Sequence, residues 1–219
     1  MNERASILAR IREALSTPAH SPAGALPSAA DRRRVLPAVP ADFAGQRELF
    51  RANAAALRAD FYEVQSAAEL ENQLRRLRDA EGWKMVASHN GTHCGPAVKS
   101  LDLPCLYTDS PYGARELSHC DAGFTDCDAL IAQTGTVLLT NRSAGGRALS
   151  VLPPHHVVIA RRDQLVPDLP AAFELLTRTC GNQFPSMISF VTGPSRTGDI
   201  ERILVLGAHG PKKLTIFML

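Results

Sequence analysis

Aromatic side chains make up only 5% of this chain, too few to build a surface on which exposed bases stack. A dominant charge is missing as well, since 24 Lys and Arg face 22 Asp and Glu for a formal net charge of +2. The one dense basic patch, Arg32, Arg33 and Arg34, lies in a Pro/Ala-rich stretch and reads as part of a solvated linker. No nucleic-acid partner is expected. No apolar run approaches the ~20 residues that cross a bilayer, and the segment from Met1 to Arg12 mixes charges into the place where an export signal would be apolar. A cytoplasmic protein without a membrane span is expected. The five cysteines, Cys94, Cys105, Cys120, Cys127 and Cys180, are odd in number and include no C-x-x-C pair. Neither a disulfide framework nor an iron–sulfur or zinc site of the chain's own is expected; the default is buried, reduced thiols.

What is present is periodicity. Ile7, Leu8, Ile11 and Leu15 predict a short amphipathic helix that ends before Pro18, followed by a Pro, Ala, Ser and Arg segment without periodicity. Residues 1–42 are therefore an N-terminal helix plus linker, and residues 43–219 the folded domain. There, Phe50, Ala54 and Leu57 mark one helix, and Ser66-Ala-Ala-Glu69 is a capping box opening a second, with Leu70, Leu74 and Leu77 as its stripe. A third is marked by Leu169, Phe173, Leu176 and Cys180. Short apolar runs at 61–64, 84–88, 104–107, 129–132, 137–140, 156–160, 187–191 and 214–218 predict strands. Strands alternating with helices imply an α/β fold with a mainly parallel sheet covered on both faces, to which the Thr134-Gly135 reversal can add an antiparallel pair.

Three loops share one plan: a strand ends, small and polar residues follow, and a helix or helical turn begins. They are Asn90 to Pro96, Asn141 to Arg147 and Gly193 to Gly198. In a parallel sheet such loops gather at the carboxyl ends of the strands, where ligands bind. Glycine lets backbone N–H groups converge and arginine offers a fork for carboxylate or phosphate, so Arg147 and Arg196 are placed to hold an anion. Ordinary turns use the same residues, and neither loop is a P-loop or a dinucleotide fingerprint. Asp199 and Glu201 fall in the first turn of the helix predicted after the third loop, where the helix dipole favours them whatever the function. His89 and His93 stand four apart, but Asn-Gly-Thr between them favours a turn and no third ligand has recognisable spacing, so no metal site is expected. Cys94 is the best thiol candidate, against a buried inert cysteine. His155, His156 and His209 could carry protons or be structural, and His209, among turn residues, is the one placed to face a ligand.

At these loops the sequence resembles the LutC family of lactate utilization proteins, also called LUD-domain proteins. The matching blocks are Ala129 to Leu139, Leu149 to His156, Ile159 to Pro170 with its Val166-Pro-Asp168, and Gly193 to Glu201 running on to Gly207-Ala-His-Gly-Pro211. The resemblance implies a Rossmann-like three-layer α/β/α core of the ribose-phosphate isomerase and CoA-transferase fold group. It also implies a component of bacterial L-lactate oxidation that acts with two iron–sulfur partner proteins, the clusters belonging to those partners and no cofactor to this chain. The alternatives are a stand-alone enzyme acting on a phosphorylated or CoA-linked metabolite and a non-catalytic assembly subunit. No residue-level mechanism comes with the resemblance. Motif match and loop chemistry give Thr134, Gly135, Thr136, Arg147, Gly193, Ser195, Arg196 and Thr197 as the expected anion-binding set, with Glu201 and His209 as catalytic candidates.

Overall fold

Apolar runs with no polar alternation mark strands that are covered on both faces. The computed structural model, which describes residues 3–16, 37–181, 183–198, 204–206 and 210–219, places such runs at the centre of a six-stranded sheet. The elements in chain order are α1 (Glu3–Ser16), α2 (Phe43–Ala56), β1 (Asp60–Glu63), α3 (Ala67–Glu81), β2 (Val86–Ser88), α4 (Cys94–Lys99), β3 (Cys105–Tyr107), α5 (Ala114–Ser118), β4 (Ala122–Thr125), β5 (Ala129–Ile131), β6 (Thr136–Thr140), β7 (His155–Ala160), β8 (Leu165–Val166), α6 (Leu169–Cys180), β9 (Ile188–Val191), β10 (Arg196–Gly198), β11 (Leu204–Leu206) and β12 (Lys213–Met218). They form two compact units, Met1–Leu36 and Pro37–Leu219. In the first, α1 buries none of its residues.

In the second unit the six strands run in the order β1-β12-β7-β4-β2-β3, every pair parallel. Successive residues of β7 enter opposite cores. Val157 and Ile159 pack with Leu70, Leu74, Trp83 and Phe124 beneath α3 and α4, whereas Val158 and Ala160 pack with Phe50 and Ala54 of α2. Helix caps fix where the chain turns. Asp42 accepts from Gly45 N at 2.8 Å to start α2, Ser66 accepts from Glu69 N at 3.2 Å to start α3, and Gly82, at φ +69°, ends α3 in the left-handed conformation.

A second, four-stranded sheet of order β8-β5-β6-β9 covers the α2 side. Leu130, Val137 and Leu139 of this sheet join Phe50, Val158 and Ile216 in one core, and its other face packs through Ile131 and Leu138 on Ala172 and Leu176 of α6. The α/β fold with a mostly parallel sheet between helices is as the sequence predicts. The second sheet is mainly antiparallel: β5 pairs β6 and β6 pairs β9 in opposite directions, and only β8 runs with β5.

Several short elements depart from the sequence expectation, α5, β8, β10 and β11 among them. β4, Ala-Gly-Phe-Thr, was not predicted, because small residues and a glycine weaken strand propensity. The glycine is there for space: a Cβ on Gly123 would stand 2.4 Å from the Leu149 carbonyl oxygen. After Ser195 the chain enters a strand pair, Arg196–Gly198 running antiparallel to Leu204–Leu206, and the first turn of the expected helix, with Asp199 and Glu201, lies outside the described residues.

Candidate functional site

The chain leaves β2 toward β3 at one edge of the sheet and leaves β4 toward β7 on the other side, so the connections after β2 and β4 diverge. A crevice opens at such a point, outside the carboxyl ends of the two strands, and α/β proteins bind ligands there. Here it is a cleft of about 470 Å³ whose walls include His89, Asn90, His93, Asp126, Arg142 and Ser143.

One wall is the first loop. Asp126, immediately beyond β4, accepts from Cys94 N at 2.8 Å through Oδ1 and from His93 N at 3.3 Å through Oδ2, tying the start of α4 to the end of β4. Asn90 N donates to Asp109 Oδ2 at 2.7 Å. The Cys94 thiol is fully buried and faces the His89 carbonyl oxygen at 3.7 Å. Burial first, and the Asp126 charge second, push it up to about 12, so at neutral pH it is a protonated thiol and not an activated nucleophile. His89 is only 6% exposed, and its Nε2 is buried without a hydrogen-bond partner. Donor atoms of His89, Cys94 and Asp126 all lie within 4.8 Å of one another.

The other wall is the second loop. Asp128 accepts from Thr140 N at 2.7 Å and from the Ser143 hydroxyl, folding the chain back as β6 ends. Gly145, at φ +59°, lies so close to His89 that a Cβ would stand 2.4 Å from the histidine Cβ. Its carbonyl accepts from Thr108 Oγ1 at 2.8 Å, which fastens this loop to the end of β3. Arg142 therefore stands at the lip of the cleft, and its guanidinium makes no hydrogen bond or ion pair among the described residues. Arg147 is turned away and donates to the Ser186 carbonyl.

The third loop is elsewhere. Because β6 and β9 are antiparallel, with Val137 opposite Val191 and Thr140 opposite Ile188, the segments that follow them leave at opposite ends. Thr134, Gly135 and Thr136 gather with Gly193 and Arg196 around the end of α2. Asn53 Nδ2 donates to the Ala132 and Gln133 carbonyls at 2.9 Å, and a Cβ on Gly135 would meet Asn53 and Ala54 at 2.9 Å. Thr136 Oγ1 lies 2.9 Å from Thr192 Oγ1. Gly193, at φ +85°, abuts Leu57, whose carbonyl accepts from Arg196. Ser195 N donates to the Pro211 carbonyl at 2.8 Å, and Thr197 pairs through its backbone with Val205. Glu201 and His209 lie outside the described residues. Two of the three loops thus share a cleft. Asp126 and Arg142, which the sequence reading did not single out, belong to it; the position of Asp126 after a strand would have been the signal, had β4 been recognised.

The buried histidines on β7 are structural. His155 Nε2 lies 2.8 Å from Thr215 Oγ1 and His156 Nε2 2.9 Å from Thr125 Oγ1. Desolvation first, and for His156 the adjacent imidazole of His155 second, lowers them to about 4 for His155 and about 3 for His156.

Comparison with known proteins places this geometry. A Lactate utilization protein C from Shouchella clausii is 32% identical over 165 residues, covering 72% of each chain. One from Deinococcus radiodurans is 32% identical over 120 residues, 54% of this chain and 56% of that one. Among solved structures, a DUF162 family protein from Deinococcus radiodurans superposes with a TM-score of 0.64 at 23% identity, over 82% of this chain and 99% of that one, which establishes the shared fold. The LUD domain model matches residues 47–219, a span holding both sheets and the whole cleft, and the chain therefore belongs to the LUD domain family.

Proposed function

We propose that the protein serves lactate utilization by binding a small carboxylate anion, of the lactate or pyruvate type, in the cleft at the ends of β2 and β4. The names of the relatives supply the process. The observation that carries the site is Arg142, whose guanidinium has no partner among the described residues, at the lip of a crossover cleft that also presents Asn90, His93 and Ser143. A planar guanidinium matches a carboxylate in two parallel hydrogen bonds, and the neighbouring amide, imidazole and hydroxyl can read the oxygen on the next carbon. In this reading the anion sits with the first and second loops and not with the Thr134 turn and the third loop. In the same reading two iron–sulfur proteins are the partners, their clusters carry the electrons, and this chain contributes the anion site.

Calorimetric titration with L-lactate and with pyruvate tests the site. Arg142→Ala should weaken binding at least ~10-fold through the lost charge-assisted hydrogen bonds, with an unchanged melting temperature. Equal binding by wild type and variant would overturn it. Lactate oxidation reconstituted with and without this chain tests membership of the system separately.

A further inference from the structure

We infer that His89, Cys94 and Asp126 form a binding site for one divalent d-block cation of the zinc type, open toward the cleft. The sequence expectation of no metal rested on spacing, and paired His89 with His93. The fold instead brings His89 from the end of β2, Cys94 from the start of α4 and Asp126 from the end of β4 to within 4.8 Å of one another.

Three independent features support a ligand there. The first is the buried Nε2 of His89, an acceptor or donor with no hydrogen-bond partner among the described residues, and such atoms demand a partner. The second is Gly91. Its backbone is not in the left-handed region, so nothing about the turn requires glycine, yet a Cβ there would stand 2.6 Å from Asp126 Oδ2, Cys94 Sγ and His89 Cε1 alike. Glycine at this position lets the backbone lie against the three side chains that supply the donors without pushing them apart. The third is charge. A cation entering the site would displace the Cys94 thiol proton to solvent, and the resulting thiolate together with the Asp126 carboxylate would offset a dication in a place where an unbalanced charge would be costly.

The donor set selects the ion. Sulfur, imidazole nitrogen and one carboxylate oxygen suit zinc, cobalt or ferrous iron and disfavour magnesium and calcium, which take oxygen. Three protein ligands with an open fourth position are the arrangement of a reactive site, not of a closed structural one. The fourth position faces a cleft able to admit water or a small oxygen ligand. This inference stands on the donor set and holds whatever anion the cleft binds.

Titration of the chelator-treated full chain with Co²⁺ provides the test. Wild type should bind one ion per chain with a thiolate-to-cobalt charge-transfer band and the intense visible bands of four-coordinate cobalt, and added Zn²⁺ should displace it and raise the melting temperature. Cys94→Ser, nearly isosteric, should abolish the charge-transfer band, weaken binding at least about 100-fold and lose the thermal shift. Gly91→Ala, with every donor retained, should weaken binding by pushing the three ligand side chains apart, while Cys180→Ser should retain the band. Absence of the band in wild type, weak octahedral cobalt spectra alone, or a band that survives Cys94→Ser would overturn the proposal.

Discussion

Arg147 and Arg196 hold backbone carbonyls at opposite ends of the β6 and β9 pair, Arg147 that of Ser186 and Arg196 that of Leu57. The strand between them spans about 13 Å. Arg196→Ala should therefore lower unfolding free energy by about 1 kcal/mol and leave anion affinity unchanged. Urea denaturation read beside calorimetry checks this, and weakened binding with intact stability would restore the third loop to the site.

Gly145 and Gly82 share nearly the same left-handed φ, +59° and +69°, but a Cβ on Gly145 collides with His89 whereas one on Gly82 meets nothing within 4 Å. Gly82→Ala should cost only the backbone term, about 1 kcal/mol. Gly145→Ala should cost ~1–3 kcal/mol more from overlap and distort the cleft. Chemical denaturation of the two variants side by side separates the contributions.

Acidification should destabilise the protein before its carboxylates titrate. His155 and His156 move from the ordinary 6.5 to about 4 and about 3 on folding. Below 6.5 the unfolded chain binds protons that the folded one refuses, so stability falls with pH by about 1.4 kcal/mol per unit for each histidine. The fall continues until the folded-state values are reached. Melting temperatures taken from about pH 7 down to about pH 5 should decline steadily; a flat profile would contradict the burial of neutral imidazoles.

Removal of residues 1–36 should leave the melting temperature unchanged, since α1 buries nothing. Removal of residues 1–42 should cost about 1–2 kcal/mol. It takes away the Asp42 cap of α2 and the Pro37 carbonyl that accepts from Gln133 Nε2 at 2.7 Å. Thermal melts of both truncations check the difference.

The elements legible in the sequence are those whose signals are local. The Ser66 capping box, the Leu70 and Leu74 stripe and the Val-Val-Ile of β7 act within a few residues and need no partner to be read. β4 is decided elsewhere, by the approach of Leu149 to Gly123. The direction of β9 is likewise a property of its pairing with β6, which the apolar run from 187 to 191 does not encode. With β9 antiparallel to β6 the third loop lies at the other end of the pair from the second, and Asp126 follows a strand that carries no local signal. His89 and Cys94 were visible as residue types, but their convergence with Asp126 depends on β2 and β4 being neighbours.

The second sheet has an evolutionary consequence. β4 and β7 are directly paired, as are β7 and β12, so the chain from 126 to 154 and from 161 to 212 leaves and rejoins between adjacent strands. The segment from 141 to 147, which forms one wall of the cleft, contributes no rung to the parallel ladder. Its exposed positions, Arg142 among them, can change, and with them the choice of ligand, while Gly145, the ladder and the opposite wall at His89 stay in register. Relatives with this scaffold can therefore diverge in what they hold without first having to refold.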